Sequence, residues 1–166
     1  MQLSHYNSRF STREFPIVVV ADHITSDFNI GSLFRVCDAF GVQKIYLCGV
    51  DEPPGRNMRK TSRATENAVN FEITDDTFSV VKKLKAQDFS IISLEITSQS
   101  LPLHTYKFKV QKPIALVVGD ENFGISEQVL KTSDAIIHIE MYGQNSSMNV
   151  SQATNIALYE LTKQML

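Results

Sequence analysis

The stretch IALVVGDENFGIS, Ile114 to Ser126, opens with an uncharged apolar run and closes with a polar loop holding Gly119 and Gly124. An apolar run that does not alternate with polar residues fits a strand buried on both faces, as strands of parallel sheets are. Four more runs share this character: IVVVAD from Ile17, KIYLCGV from Lys44, SIISLEI from Ser90 and AIIHIEM from Ala135. Helical spacing fills the intervals over Ser32–Phe40, Thr61–Asn67, Asp76–Gln87 and Ser126–Thr132. A last helix runs from Val150 to the C-terminus on a stripe of Val150, Ala153, Ala157 and Leu161. Strands alternating with helices predict an α/β domain, a mostly parallel sheet with helices on both faces. No linker, repeat or low-complexity tract divides the chain. The expectation is one domain over residues 1–166, with 1–14 as a flexible N-terminal arm.

Ligands of such sheets gather beyond the carboxyl ends of the strands. Three polar, glycine-bearing loops fall there: ADHITSDFNIG after the first run, GDENFGIS after the fourth and MYGQNSSMN after the fifth. In the first loop Asn29 and Ser32 suit a helix start, and the helix is expected to begin near Gly31. Arg35 then stands one turn from Gly31 and Ser32, on the face with least side-chain bulk. The expectation is that something other than packing occupies that space.

Several chemistries are excluded. The first loop reads Asp22, His23, Ile24, Thr25, Ser26, Asp27, Phe28, without the glycine fingerprint of a dinucleotide site, and no phosphate-binding P-loop occurs. His5, His23, His104 and His138 are scattered without metal-ligand spacing, so no metal is expected. His138, between isoleucines, reads as a satisfied interior histidine. No serine or cysteine sits in a nucleophile elbow. Apolar residues make up 43% and charged ones 20%, with a formal net charge of -2, so any nucleic-acid contact must rest on a local patch. No run approaches the roughly 18 apolar residues of a membrane span, and the basic, polar start is not a secretory signal. Cys37 and Cys48 read as small buried hydrophobes of a reducing compartment, which places the protein in the cytoplasm.

Taken together, the loops resemble the three motifs of the SpoU (TrmH-type) RNA methyltransferases of the SPOUT class. NIGSLFR, Asn29 to Arg35, resembles the first; LVVGDENFGIS, Leu116 to Ser126, the second; IEMYGQNSSMNVSQA, Ile139 to Ala153, the third. The resemblance implies a parallel sheet with a C-terminal deep trefoil knot, S-adenosylmethionine as cofactor and an obligate homodimer. It implies methyl transfer to a ribose 2′-hydroxyl of tRNA or rRNA, with the first motif of one chain facing the cofactor of the other. The different-class alternative is a non-catalytic knotted module that holds RNA or a nucleoside.

By the same resemblance, Leu94, Gly119, Ile139, Met141 and Met148 contact the cofactor. For Leu94, Ile139 and Met148, core packing accompanies or replaces that role. Arg35 lies against the reacting ribose or its phosphate. Because guanidinium essentially never deprotonates in proteins, its charge is the safer role than that of base; a surface pair with Asp38 is the plain alternative. Asn29 orients the substrate or Arg35, or caps a helix. Glu121 binds Arg35 or fixes its loop, or is a solvated turn carboxylate. Ser147 and Asn149 hold the ribose or the Glu121 carboxylate, or cap the last helix. Arg56, Arg59, Lys60 and Arg63, in a loop without acidic residues, are candidates for phosphate contact. His5, Tyr6, Arg9, Phe10 and Arg13 make an arm that contacts RNA or is plainly disordered. Departures from the family pattern are Glu140 for proline, Met148 for leucine, Asp120 for asparagine and Ala64 for glycine.

Overall fold

The near-continuous apolar runs become the centre of a parallel sheet in a computed structural model that describes residues 11–50 and 55–166. In chain order, β1 (Phe15–Asp22) leads to α1 (Asp27–Ala39), β2 (Val42–Cys48), α2 (Arg56–Ser62) and β3 (Asn70–Thr74). Then come α3 (Thr77–Ala86), β4 (Ser90–Leu94), β5 (Leu101–Pro102), β6 (Ile114–Gly119), α4 (Glu127–Thr132), β7 (Ala135–His138) and α5 (Val150–Met165). The strand order is β3-β2-β1-β6-β4-β7-β5, and the described strands all pair in parallel. All described strands therefore end at one edge.

Strand alternation sends the two sides of β1 into two cores. Ile17, Val19 and Ala21 join Leu33 and Phe34 of α1 with Ala157, Leu158 and Leu161 of α5. Val18 and Val20 join Val80, Val81 and Leu84 of α3 with Val129 of α4. Each Val, Leu, Ile or Phe side chain so removed from water contributes about 1.5–3 kcal/mol. The chain builds β1, β2 and β3 outward on one side and then crosses to β4 on the other. That reversal beside β1 is a topological switch point, where a crevice opens at the strand ends.

Three local readings are corrected. Helix α1 begins at Asp27, not near Gly31, because Ser26 is its N-cap and accepts from the Asn29 amide at 3.5 Å. Asn29 is thus inside the helix and does not cap it. The small face of α1 is filled by packing after all: a Cβ on Gly31 would lie 2.7 Å from the Met58 carbonyl oxygen of α2. The basic GRNMRKTSR segment is helix α2 rather than a loop, with Met58 and Ser62 turned inward. Helix α2 ends in two left-handed residues, Arg63 and Ala64, with φ of 52° and 69°. The second accounts for the glycine expected where Ala64 stands, since only glycine adopts that conformation without steric cost.

Candidate functional site

Asp22, the last residue of β1, fixes the base of the site. It is 1% exposed. Its carboxylate accepts from the Thr77 hydroxyl at 2.5 Å, the Ser126 amide at 2.9 Å and His23 Nδ1 at 2.7 Å. Burial opposes its ionisation, but these donors outweigh burial and hold its pKa below the ordinary carboxylate value. One buried charge thereby ties the ends of β1 and the starts of α3 and α4 together, and sets where the loop after β6 leaves the sheet.

That loop, Asp120 to Ile125, turns tightly. The Gly124 amide donates to the Asp120 carbonyl at 2.8 Å, and Asp120 Oδ1 accepts from the amides of Asn122 and Phe123. Gly119 is required by close approach, because a Cβ there would sit 2.4 Å from the Gly124 carbonyl carbon. The turn presents Glu121 toward α1 and the start of α5.

Three of the sequence-predicted residues meet there. Asn149 caps α5, its Oδ1 accepting from the amides of Ser151 at 3.0 Å and Gln152 at 3.3 Å. Backbone amides only donate, so this cap fixes the side-chain orientation and aims the NH2 group away from the helix. That group donates to Glu121 Oε1 at 2.7 Å and to Asn29 Oδ1 at 2.9 Å. Asn29 in turn donates to the same Glu121 oxygen at 3.3 Å, and the Val150 amide does so at 3.3 Å. Capping and holding the carboxylate, weighed as alternatives for Asn149, are two ends of one amide. Glu121 is bound by amides, not by Arg35.

Beside this network lies a cleft of about 480 Å³, lined from the ends of β4, β6 and β7 and the start of α5. Its size is within the roughly 300–1,000 Å³ of small-molecule sites. Leu94, Gly119, Ile139, Met141 and Met148, the five residues expected at the cofactor, all line it, as do Glu121 and Ser147. The described lining carries Glu95, Asp120 and Glu121 and no lysine or arginine. His138 also lines it, and among the described residues its buried Nδ1 has no hydrogen-bond partner, so the expectation of a satisfied interior histidine is overturned. Among the described residues no group of three His, Cys, Asp or Glu gathers to hold a metal.

Arg35 stands apart. It is exposed on α1, outside the cleft lining, and none of the described ion pairs includes it, so the pairing with Asp38 is not formed. Arg56, Arg59, Lys60 and Arg63 are exposed on α2 and its C-cap, packed beside α1. Glu140 faces the Leu103–Thr105 turn, with His104 Nδ1 at 3.5 Å, and accepts from the Tyr142 hydroxyl at 3.1 Å. His5, Tyr6, Arg9 and Phe10 lie outside the described residues; Arg13 stacks over the Phe15 ring at 4.7 Å. Sequence reasoning missed Glu95, whose only signal is a lone carboxylate directly after an apolar strand. It accepts from the amides of Ile96 at 2.9 Å and Ile125 at 3.1 Å.

Fold and site together define an all-parallel α/β protein with a small-molecule cleft of loops at the switch point of its sheet. The profile of the SpoU rRNA Methylase family matches residues 16–159, and the chain belongs to that family. A tRNA (guanosine(18)-2′-O)-methyltransferase of Aquifex aeolicus (strain VF5) is 30% identical over 152 residues, covering 92% of this chain and 71% of the relative. The 23S rRNA (guanosine-2′-O-)-methyltransferase RlmB of Blochmanniella floridana is 31% identical over 151 residues, 90% of this chain and 58% of its own. Among solved structures, the A. aeolicus TrmH/SpoU tRNA modifying enzyme superposes with a TM-score of 0.82 at 29% identity, covering 92% of this chain and 77% of that one. AviRb of Streptomyces viridochromogenes, solved with AdoMet, shares the fold with a TM-score of 0.79 at 23% identity, over 92% of this chain and 61% of its own.

Proposed function

We propose that this chain transfers a methyl group from S-adenosylmethionine to a ribose 2′-hydroxyl of tRNA or rRNA. The observation that carries the reading is the meeting of Asn29, Glu121 and Asn149 beside a cleft lined by all five expected cofactor residues. The residues fit the cofactor. Three carboxylates with no lining lysine or arginine favour a cationic ligand, and the unpartnered His138 Nδ1 offers a polar atom at the cleft wall. When bound, S-adenosylmethionine supplies an electrophilic methyl group on its sulfonium. Leu94, Gly119, Ile139, Met141 and Met148 would hold it, and the glycines leave backbone groups open to close approach.

The Asn29–Glu121–Asn149 network keeps the second and third loops in register with α1, which is the positioning that in-line transfer needs. Ser147, exposed at the cleft, is free to bond the ribose. Arg35 acts in a partner's site, lowering by its charge the cost of developing anion on the 2′-oxygen. Its place outside its own chain's cleft supports that homodimeric arrangement, as do Ile156 and Tyr159, 39% and 62% exposed on α5. Arg56, Arg59, Lys60 and Arg63 bind RNA phosphates in a sequence-independent way. We infer one domain, since a single sheet carries all described strands, and a trefoil knot, supported by the seating of β6 and β7 between earlier strands. Among the described residues no helix is long and apolar enough to cross a membrane. The two buried free cysteines support a cytoplasmic location.

Titration calorimetry with S-adenosylmethionine, followed by transfer of labelled methyl to bulk RNA, tests the reading. Saturable binding and 2′-O-methylated nucleosides are expected. RNA binding without cofactor binding would instead establish a non-catalytic RNA- or nucleoside-binding module.

A further inference from the structure

We propose that Glu95 is a positioning residue that fixes the width of the donor cleft by bolting the loop after β6 to the end of β4. The proposal rests on the reading of this cleft as the S-adenosylmethionine site. Glu95 follows the last residue of β4, beside β6 in the sheet. Its own amide continues the ladder by donating to the Ile137 carbonyl at 2.9 Å, so the carboxylate stands on rigid backbone. One oxygen accepts from the Ile96 amide at 2.9 Å and the other from the Ile125 amide at 3.1 Å. The first bond is local and orients the carboxylate. The second ties the end of β4 to the loop after β6, two segments that both line the cleft. Bonds to an ionised acceptor are roughly twice as strong as neutral ones.

The loop is built to receive this carboxylate. Gly124 has φ of 66°, and a Cβ there would approach Glu95 Oε2 to 2.6 Å. Glycine at 124 suits the left-handed backbone there, and its missing side chain leaves the space that the Glu95 carboxylate occupies. Glu121, three residues earlier, inherits its position from the same turn. The carboxylate is half-buried in the lining, where its negative charge also faces a cationic ligand.

Three variants test the assignment. Glu95→Gln keeps an oxygen for the Ile125 amide; Glu95→Ala removes it; Gly124→Ala crowds it. In the ligand-free protein, hydrogen exchange of the Ile125 amide is expected to rise about ten-fold in Glu95→Ala, the loss of a bond worth about 1.4 kcal/mol. Glu95→Gln should stay within about three-fold of wild type, with the weaker neutral bond. With RNA saturating, the KM for S-adenosylmethionine is expected to rise about ten-fold in Glu95→Ala while kcat holds; Gly124→Ala should show the same split. A merely destabilised protein would lose kcat at unchanged KM. Unchanged exchange at Ile125 in Glu95→Ala, or a kcat loss without a KM change, overturns the proposal. Wild-type protein that binds no S-adenosylmethionine while the exchange effect persists would sink the functional reading and leave the bolt standing.

Discussion

Replacing Asn149 separates the two jobs that one amide performs. Asn149→Ser keeps an oxygen for the N-cap of α5 but removes the NH2 group that reaches Glu121 at 2.7 Å and Asn29 at 2.9 Å. Hydrogen bonds to charged groups are worth about 1.5–3 kcal/mol, and Glu121 is exposed, so the lower end applies. A loss of about 1.5 kcal/mol lowers the melting point of a domain this size by about 3–6 °C. Asn149→Asp also keeps the cap, yet sets a second carboxylate against Glu121. Two unit charges about 4 Å apart repel by about 4 kcal/mol at an effective dielectric of 20. Solvent at this open position halves that, to about 2 kcal/mol. The Asp variant should therefore lose about 3.5 kcal/mol at pH 7, or about 7–14 °C. The repulsion needs both carboxylates ionised, so the Asp deficit should shrink when the pH is lowered from 7 to about 4. The Ser deficit has no such relief. Denaturant unfolding and thermal melts at both pH values provide the assay. An Asp variant as stable as wild type at pH 7, or a deficit identical at both pH values, would refute the shared-amide geometry.

Asp22 has a depressed pKa, so its contribution to stability is full above about pH 4 and declines as the pH falls through its folded value. Asp22→Asn should cost about 1–3 kcal/mol at pH 7 and flatten the acid limb of a stability-against-pH curve; an acid limb unchanged from wild type would contradict this. Ala64→Gly relieves a left-handed alanine with φ of 69° and should stabilise by about 1 kcal/mol, read as a rise of about 2–4 °C in a thermal melt. Gly119→Ala forces a Cβ to within 2.6 Å of the Ile125 amide nitrogen and should abolish S-adenosylmethionine binding by calorimetry.

The centre of the sheet was legible because β1, β4, β6 and the Ile45–Cys48 half of β2 are buried on both faces and carry apolar runs, and β7, though half-buried, keeps the apolar run Ala135–Ile137. β3 and β5 were not. Asn70 and Phe71 of β3 are exposed at the sheet edge, and β5 is only Leu101–Pro102, so neither has a pattern to read. Helix α2 buries only Met58 and Ser62, too little for an apolar stripe, and its basic residues read as a loop. In α1 the polar residue chosen as start, Asn29, faces inward to Glu121, while Ser26 does the capping. Local sequence cannot tell a capping amide from one held across the fold by a residue 92 positions away. The loops of the site were legible through motifs, whereas Asp22 and Glu95 act by tertiary hydrogen bonds that no short spacing encodes.

The central claim is that a guanidinium carried on α1 assists transfer to a sugar oxygen while the cleft alone holds the donor. Mass spectrometry of nucleosides from RNA incubated with S-adenosylmethionine and either wild-type protein or Arg35→Ala tests it most directly, with donor affinity measured in parallel. The account predicts ribose 2′-O-methylation by wild type, and at least about a hundred-fold loss in the variant, as for removal of a transition-state donor, at near-unchanged donor affinity. Equal ribose methylation by the two proteins would contradict it.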